Sequence, residues 1–404
     1  MAERFRPAAR TEADGIEEVL RAIVGRDHVR LATEADAVAG VVPLVVAEPA
    51  DERETASILR CANQAGLAVI PTGGGTKLDW GNPPKQADVL VSMRRQNQVL
   101  EHAWADLTVT VQAGCTVAEL QRILSEHGQR LAIDALWPER ATVGGILATN
   151  DSGALRLGFG GLRDLILGVT LALADGTVAS SGGKVVKNVA GYDLPKLATG
   201  SLGTLGVITR AVFRLHPLPR HTRTLTAELE NAAAMQRVVL SLLRAQLALS
   251  AVQIRQGTRI DILLEGTGDG IAAQHAALMQ IAAFSEGSPD VWSARQRVCA
   301  EDSGTPVKFS ALPSRVAEAF ESLARSGAGA AVVQATGIGY ARCQGDLQGL
   351  RNVMEKNGGS LVILGRSSLD AWGSAGDALP LMRAIKQQFD PKGTLNPQRY
   401  VGGI

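Results

Sequence analysis

Long apolar runs are missing from this 404-residue sequence. No stretch approaches the roughly 18 uninterrupted apolar residues of a membrane-spanning helix, so no direct membrane insertion is expected. Cysteine is scarce: Cys61, Cys115, Cys299 and Cys343 lie far apart with no Cys-x-x-Cys pair, which argues against zinc ribbons, iron–sulfur ligation and a disulfide framework. They read as small buried residues in a reducing compartment. A charge excess is missing too, with 41 Lys plus Arg against 40 Asp plus Glu, so there is no electrostatic footprint for nucleic acid and no polybasic anchor. The first twenty residues carry acidic groups and no continuous apolar core, unlike a signal peptide. Histidines are scattered, with no His-x-x-x-His, so no metal is expected. These absences leave small molecules and other proteins as partners, in the cytoplasm.

What is present is a soluble-type composition, 46% hydrophobic and 20% charged, long enough for two or three domains. Glycine clusters in one place. In "PLVVAEPADERETASILRCANQAGLAVIPTGGGTKLDWGNPP" a β-branched run at Leu44 to Ala47 precedes a helix that Asp51 caps in a box with Glu54 and Gly66 ends. Leu67 to Ile70 then forms a second strand, a β-α-β unit with parallel strands. Gly73, Gly74 and Gly75 therefore stand at a strand's carboxyl end, where open α/β sheets bind ligands and successive N–H groups can nest around an anion. A ligand-free flexible turn is the competing reading. A dinucleotide fingerprint fails because Leu78 stands where the third glycine belongs, and no helix can start at "WGNPP". A Walker loop fails because Lys77 is followed by Leu78 and Lys184 by Val185.

Further on, "LTVTVQAG" alternates as a strand, and Thr116 caps a helix that Gly128 ends. Leu165 to Ala174 and Val207 to Leu215 read as buried strands, and Gly144, Gly145, Gly153, Gly203 and Gly206 occur beside Thr142, Thr149, Ser152 and Thr204. Such loops can follow a long cofactor closely.

Four stretches, "PTGGGT", "ATVGGILATNDSG", "GYDLPKLATGSLGTLGVIT" and "FDPKGTLNP", resemble in the same order the FAD-binding fold of the vanillyl-alcohol oxidase family, the PCMH-type flavoproteins. The likeness runs from about Pro43 to Pro219 and returns at Phe389 to Pro397; within the family it is nearest to FAD-binding E subunits of glycolate oxidase (glycolate dehydrogenase) complexes, related to D-lactate dehydrogenases. The resemblance implies an α+β fold: a PCMH-type FAD-binding domain of two α/β subdomains, plus a smaller α+β cap with an antiparallel sheet. It implies that Pro71, Thr72, Gly73, Gly74, Gly75, Thr76 and Lys77 wrap the FAD pyrophosphate. Trp137, Pro138, Thr142, Val143, Gly144 and Gly145 would follow the cofactor next, then Thr149, Asp151, Ser152 and Gly153. Gly203, Gly206, Val207 and Ile208 would lie by the adenine, and Asn396 with Pro397 would return towards the flavin. Members with covalently attached FAD often carry His in the glycine loop; Thr76 and Lys77 follow Gly75 here, so FAD is expected to be non-covalent.

After "HPLPRHTRT" the texture changes. Ala227 to Leu249 reads as a helix, "ILLEGTGDG" as a strand and turn, Ile271 to Phe284 as a helix, and strands and helices then alternate as in a cap over one antiparallel sheet. "SSLDAWGSAGDALP" reads as an exposed linker. The domains expected are 1–220 for FAD binding, 221–375 for the cap, and 376–404 as a helix and tail returning to the first. The cap departs from the family's D-2-hydroxy acid dehydrogenases: it has no segment like H-x-G-D-G-N-x-H, and "EGTGDGIAAQH" shares only Gly268, Asp269 and Gly270. No catalytic residue is assigned. Arg255, Lys308, Arg342 and Arg366 are candidate cations for a carboxylate, with solvated surface charge as the competing reading. The resemblance implies an FAD subunit acting with a larger homologous FAD subunit and an iron–sulfur subunit on glycolate or D-lactate, reaching a membrane face only through partners. A non-catalytic scaffold and a self-sufficient dehydrogenase are the alternatives.

Overall fold

The computed structural model describes residues 7–183 and 192–404; Lys184 lies outside them. Strands Val29–Leu31 (β1), Val45–Ala47 (β2), Val69–Thr72 (β3) and Val89–Ser92 (β4) form a sheet in the order β1-β2-β4-β3, with β2 and β3 both parallel to β4. The β-α-β unit is thus real, but its crossover skips a strand, because β4 inserts between the two. Its helix, Glu52–Ala65, is capped by Asp51, which accepts from the Glu54 amide, and ends at Gly66 with φ 71°. Glu54 closes the cap on the Ala50 amide at 2.6 Å, one residue earlier than a regular box.

A second sheet holds Val99–Ala103 (β5) and Thr108–Gln112 (β6); Gln129–Arg130 (β7) lies apart from it. Ile166–Ala172 (β8), Val178–Gly182 (β9) and Val207–Arg214 (β10) complete it, all antiparallel, in the order β5-β6-β10-β8-β9. His216–Pro217 (β11) pairs with β7. Helices Val117–Ser125 and Val143–Thr149 bury Leu120, Leu124, Ile146 and Leu147 against Val111, Ala211 and Phe213 of this sheet. The first helix stops at Ser125, short of Gly128, because its last turn relaxes through 3-residue turns before Gly128 reverses the chain at φ 63°.

The third sheet has eight antiparallel strands: His221–Glu228 (β12), Ala251–Arg255 (β13), Arg259–Gly266 (β14), Ser285–Glu286 (β15), Thr305–Ser310 (β16), Ala330–Gln334 (β17), Ile338–Cys343 (β18) and Ser360–Ile363 (β19). Their order is β15-β12-β14-β13-β17-β18-β16-β19. One face carries Val307, Phe309, Val333, Ala341 and Ile363 into a core with helices Ala232–Arg244, Val316–Arg325 and Leu347–Lys356. Alternation turns Val332, Tyr340 and Val362 the other way, into a core shared with Trp80, Leu136 and Trp137 of the first two sheets' half.

Three local expectations change. Ala227 lies inside β12, which ends at Glu228, and the helix begins at Ala232 behind the Asn231 cap, so the alanine run hides a strand end. The helix placed at Ile271 starts at Gly268, since Thr267 accepts from the Gly270 amide, and it ends at Leu278. The stretch 367–380 is not a free linker: Ala371 is buried, and the Trp372 indole donates to the Arg399 carbonyl at 2.8 Å.

Candidate functional site

β3 runs straight into the glycine loop, and a chain that bends there would ordinarily pair its amides with a neighbour. Here the N–H groups of Gly73, Gly74, Gly75 and Thr76 donate to no acceptor among the described residues. Gly75 has φ 72°, and a Cβ on Gly73 or Gly74 would strike the Thr142 hydroxyl or the Arg140 carbonyl. Bare backbone is therefore a steric requirement at this place.

The loop forms one wall of a cleft of about 720 Å³. All seven of Pro71 to Lys77 line it. Opposite stands the first turn of the 143–149 helix. Thr142 caps that helix by accepting from the Gly145 amide at 3.3 Å, and the Val143 and Gly144 amides donate to the Cys115 and Ala113 carbonyls. Thr142, Gly144, Gly145 and Thr149 line the cleft from this side, and Gly203, Gly206, Val207 and Ile208 form its far end. The C-terminal tail closes it. Leu395 bridges to Val69, the Asn396 amide donates to the Val69 carbonyl at 3.0 Å, and the Asn396 side chain donates to the Leu202 carbonyl while its Oδ1 stays buried and unpaired.

Seven residues expected here stand elsewhere, among them Pro397, whose carbonyl accepts from the Lys85 amide. Val143 is core, and Pro138 gives its carbonyl to the Ala118 amide. Trp137, Asp151, Ser152 and Gly153 lie behind the loop, where Asp151 pairs with Lys77 at 3.1 Å and a Cβ on Gly153 would strike Asp134. Leu78, Met93, Ala113, Ala148, Leu202 and Arg399 line the cleft without having been read from the sequence. Arg399 is 3% exposed, its Nη2 donates to the Leu78 and Trp80 carbonyls, and its Nε is unpaired. Burial pulls its pKa down to about 10. Its only signal is its place three residues after Asn396.

The inner face of the eight-stranded sheet looks towards this half of the molecule. Of the four candidate cations, Arg255 is held by Asp261 at 2.5 Å and Arg366 is an exposed partner of Asp79. Arg342 donates to the carbonyls of Val298, Cys299 and Gly304. It lines, with Gly75, Thr76, Trp80 and Trp137, a crevice of about 1080 Å³ between glycine loop and sheet. Lys308 stands opposite Tyr340 in the ladder, with its ammonium 6.0 Å from that ring, and makes no hydrogen bond or ion pair among the described residues. Burial pushes its pKa down to about 8; Asp151 opposes the push and Arg295 and Arg156 add to it.

Residues 43–182 match the family described as FAD binding domain, and residues 373–400 match FAD linked oxidases, C-terminal domain. The chain is 34% identical over 206 residues to the glycolate oxidase subunit GlcD of Bacillus subtilis, covering 51% of this chain and 44% of that one. It is 34% identical over 207 residues to a D-lactate dehydrogenase of Archaeoglobus fulgidus, covering 51% and 46%. The matches thus span under half of these relatives' length. The solved structure of p-cresol methylhydroxylase with substrate bound superposes with a TM-score of 0.76 over 98% of this chain and 97% of that one, at 15% identity, which shows the fold.

The cleft fits FAD. Four free amides in a row suit a pyrophosphate, no carboxylate lines the walls among the described residues, Arg399 supplies positive charge, and the orphaned Asn396 Oδ1 offers an acceptor.

Proposed function

We propose that the chain, whose residues 43–182 match an FAD binding domain and 373–400 the C-terminal domain of FAD linked oxidases, is an FAD-holding oxidoreductase subunit of PCMH-type fold in the oxidation of glycolate or D-lactate to the 2-oxo acid. Residues 1–220 form the cofactor domain, 221–375 the cap and 376–404 the returning tail; the start of the eight-stranded sheet at His221 supports the first boundary. The observation that carries the reading is the row of unpaired amides in a cleft without carboxylates. Gly73 to Thr76 would hold the pyrophosphate, Thr142 to Gly145 would back it, and Gly206 to Ile208 would flank the adenine. Among the described residues no His, Cys or Tyr lines the cleft, which supports non-covalent binding. FAD, when bound, accepts the hydride equivalent of the alcohol and passes electrons on.

The chain's own residues set what can approach. Lys308, which makes no hydrogen bond or ion pair among the described residues, suits a small carboxylate, and Arg342, one diagonal step away on the adjacent strand with its donors on three carbonyls, adds positive charge nearby. The proposed partners are a larger homologous FAD subunit and an iron–sulfur subunit, supported by the naming of the Bacillus relative as a subunit. No helix among the described residues is long and apolar enough to cross a membrane, consistent with a cytoplasmic protein that meets a membrane through partners. A second reading, turnover by this chain alone, is favoured by Lys308: an ammonium with a pKa about 8 can also give up its proton and act as a base.

The test is the visible spectrum of the purified chain before and after anaerobic glycolate. Flavin bands that persist support relay beside a catalytic partner, and bands that bleach support turnover by the chain itself. Protein without flavin overturns both and leaves a scaffold.

A further inference from the structure

Behind the glycine loop lies a buried ion cluster that the cleft does not use. Asp151 is 0% exposed, with Oδ2 3.1 Å from the Lys77 ammonium and Oδ1 2.7 Å from the Arg295 guanidinium. It also accepts from the Leu136 amide at 2.9 Å. The Lys77 ammonium is boxed between the rings of Trp80 and Trp137, 5.6 Å from each centroid. Arg295 comes from the helix Ala294–Ala300 on the cap side; it donates further to the Ser152 carbonyl at 3.0 Å and to the Asp134 carbonyl. Gln334 of β17 reaches the same Ser152 carbonyl at 3.4 Å.

Burial alone would raise the Asp151 pKa, but Arg295 and then Lys77 outweigh it and hold the carboxyl at about 2. The charge is therefore kept deep in the protein, and removing one member would leave the others uncompensated. The positions are what matter. Lys77 ends the loop of free amides, Asp151 stands two residues past the helix whose first turn is the opposite cleft wall, and Arg295 belongs to the cap.

We propose that Asp151 is a positioning residue that ties the glycine loop, the cofactor helix and the cap into one arrangement, so that FAD seating and cap docking are thermodynamically coupled. This rests on the reading of the cleft as the FAD site. The sequence likeness put Asp151 among the cofactor contacts; the geometry assigns it an indirect role, behind the wall instead of on it. A ligand that fixes Lys77 and the 143–149 helix then favours the docked cap, and by reciprocity the docked cap tightens the ligand.

The experiment is a double-mutant cycle on FAD affinity with Asp151→Asn, Arg295→Met and both, and Arg295→Lys as the conservative variant. Hydrogen exchange of Leu136 and of the 143–149 helix is followed in FAD-free protein. Arg295 does not line the cleft, yet Arg295→Met is expected to raise the FAD dissociation constant on the order of 10-fold. The double variant should lose less than the sum of the singles, and Arg295→Lys should recover part. An FAD dissociation constant for Arg295→Met within about twofold of wild type, or strict additivity, overturns the coupling. Should the wild type bind no FAD, the cleft reading falls, and exchange alone decides: faster exchange in Arg295→Met upholds the tie, unchanged rates overturn it.

Discussion

The cofactor cleft and the facing sheet treat their polar groups in opposite ways. In the cleft wall, four consecutive backbone donors and the Asn396 oxygen have no partner among the described residues. On the sheet face, Arg255 is neutralised by Asp261 and Arg342 is wrapped by three carbonyls, and Lys308 is the exception that makes no hydrogen bond or ion pair among the described residues. The four amides are half-buried along the cleft wall and the Asn396 oxygen is fully buried; leaving a buried polar group unpaired costs about 1–3 kcal/mol. Where a protein tolerates that cost, a ligand is the usual partner, so the comparison separates a wall built to be completed by a ligand from a face already completed by protein, with one gap at Lys308.

The sharpest way to break the contrast is to fill the cleft wall from within. Gly74→Val puts a branched Cβ against the Arg140 carbonyl, so loop and 142–145 turn must part. FAD affinity should fall by about 100-fold, the equivalent of the upper overpacking cost. Flavin content is read in the soluble fraction; wild-type content would mean that the loop does not meet the cofactor.

Next comes the gap on the sheet. Lys308 has a folded pKa about 8 against an ordinary 10.5, so the native state loses its proton first. Below pH 8 the full cost of burying the charge is present; it fades as pH rises to 10.5, and wild-type stability should climb across that window. Lys308→Met should therefore be more stable than wild type at pH 7 by roughly 1–2 kcal/mol, discounted because the side chain keeps some solvent contact. It should lose that advantage near pH 10.5. Urea unfolding at the two pH values checks it, and a variant less stable at pH 7 would show that Lys308 has a partner and is not a gap.

The two regions also differ in how much the sequence discloses. Asp51, Thr116 and Thr142 act through amides three residues away, and local chemistry of that kind is written in spacing. The inner sheet face depends on which strands become neighbours. Lys308 opposes Tyr340, and Arg295 meets Asp151 across 144 positions, and no periodicity connects such pairs. β12 escaped notice because "HTRTLTAE" alternates Thr with mixed partners, and its burial comes from β14 alongside. Arg399 was missed because a lone arginine in a tail reads as surface charge until the Leu78 and Trp80 carbonyls are seen to enclose it. The Trp372 stretch failed for the reverse reason: its Gly, Ser and Asp are turn formers, but its indole and Ala371 are buried by the returning tail.

The smallest effect makes the finest comparison, since two threonines do the same capping job on opposite sides of the boundary. Thr116 and Thr142 each accept from an amide three residues on, at 3.3 Å, and the two are bridged to one another. Thr142 lines the cofactor cleft and Thr116 does not. Loss of the hydroxyl removes one helix cap in either case, so Thr116→Ala and Thr142→Ala should each cost about 1 kcal/mol of stability. Only Thr142→Ala should also weaken FAD, by a few-fold, on the order of one neutral hydrogen bond. Denaturant midpoints and FAD titrations on the two variants separate the effects. Equal FAD affinity in both would show that the 143–149 helix presents only its backbone to the cofactor, which would leave the free amides of the glycine loop as the principal polar hold.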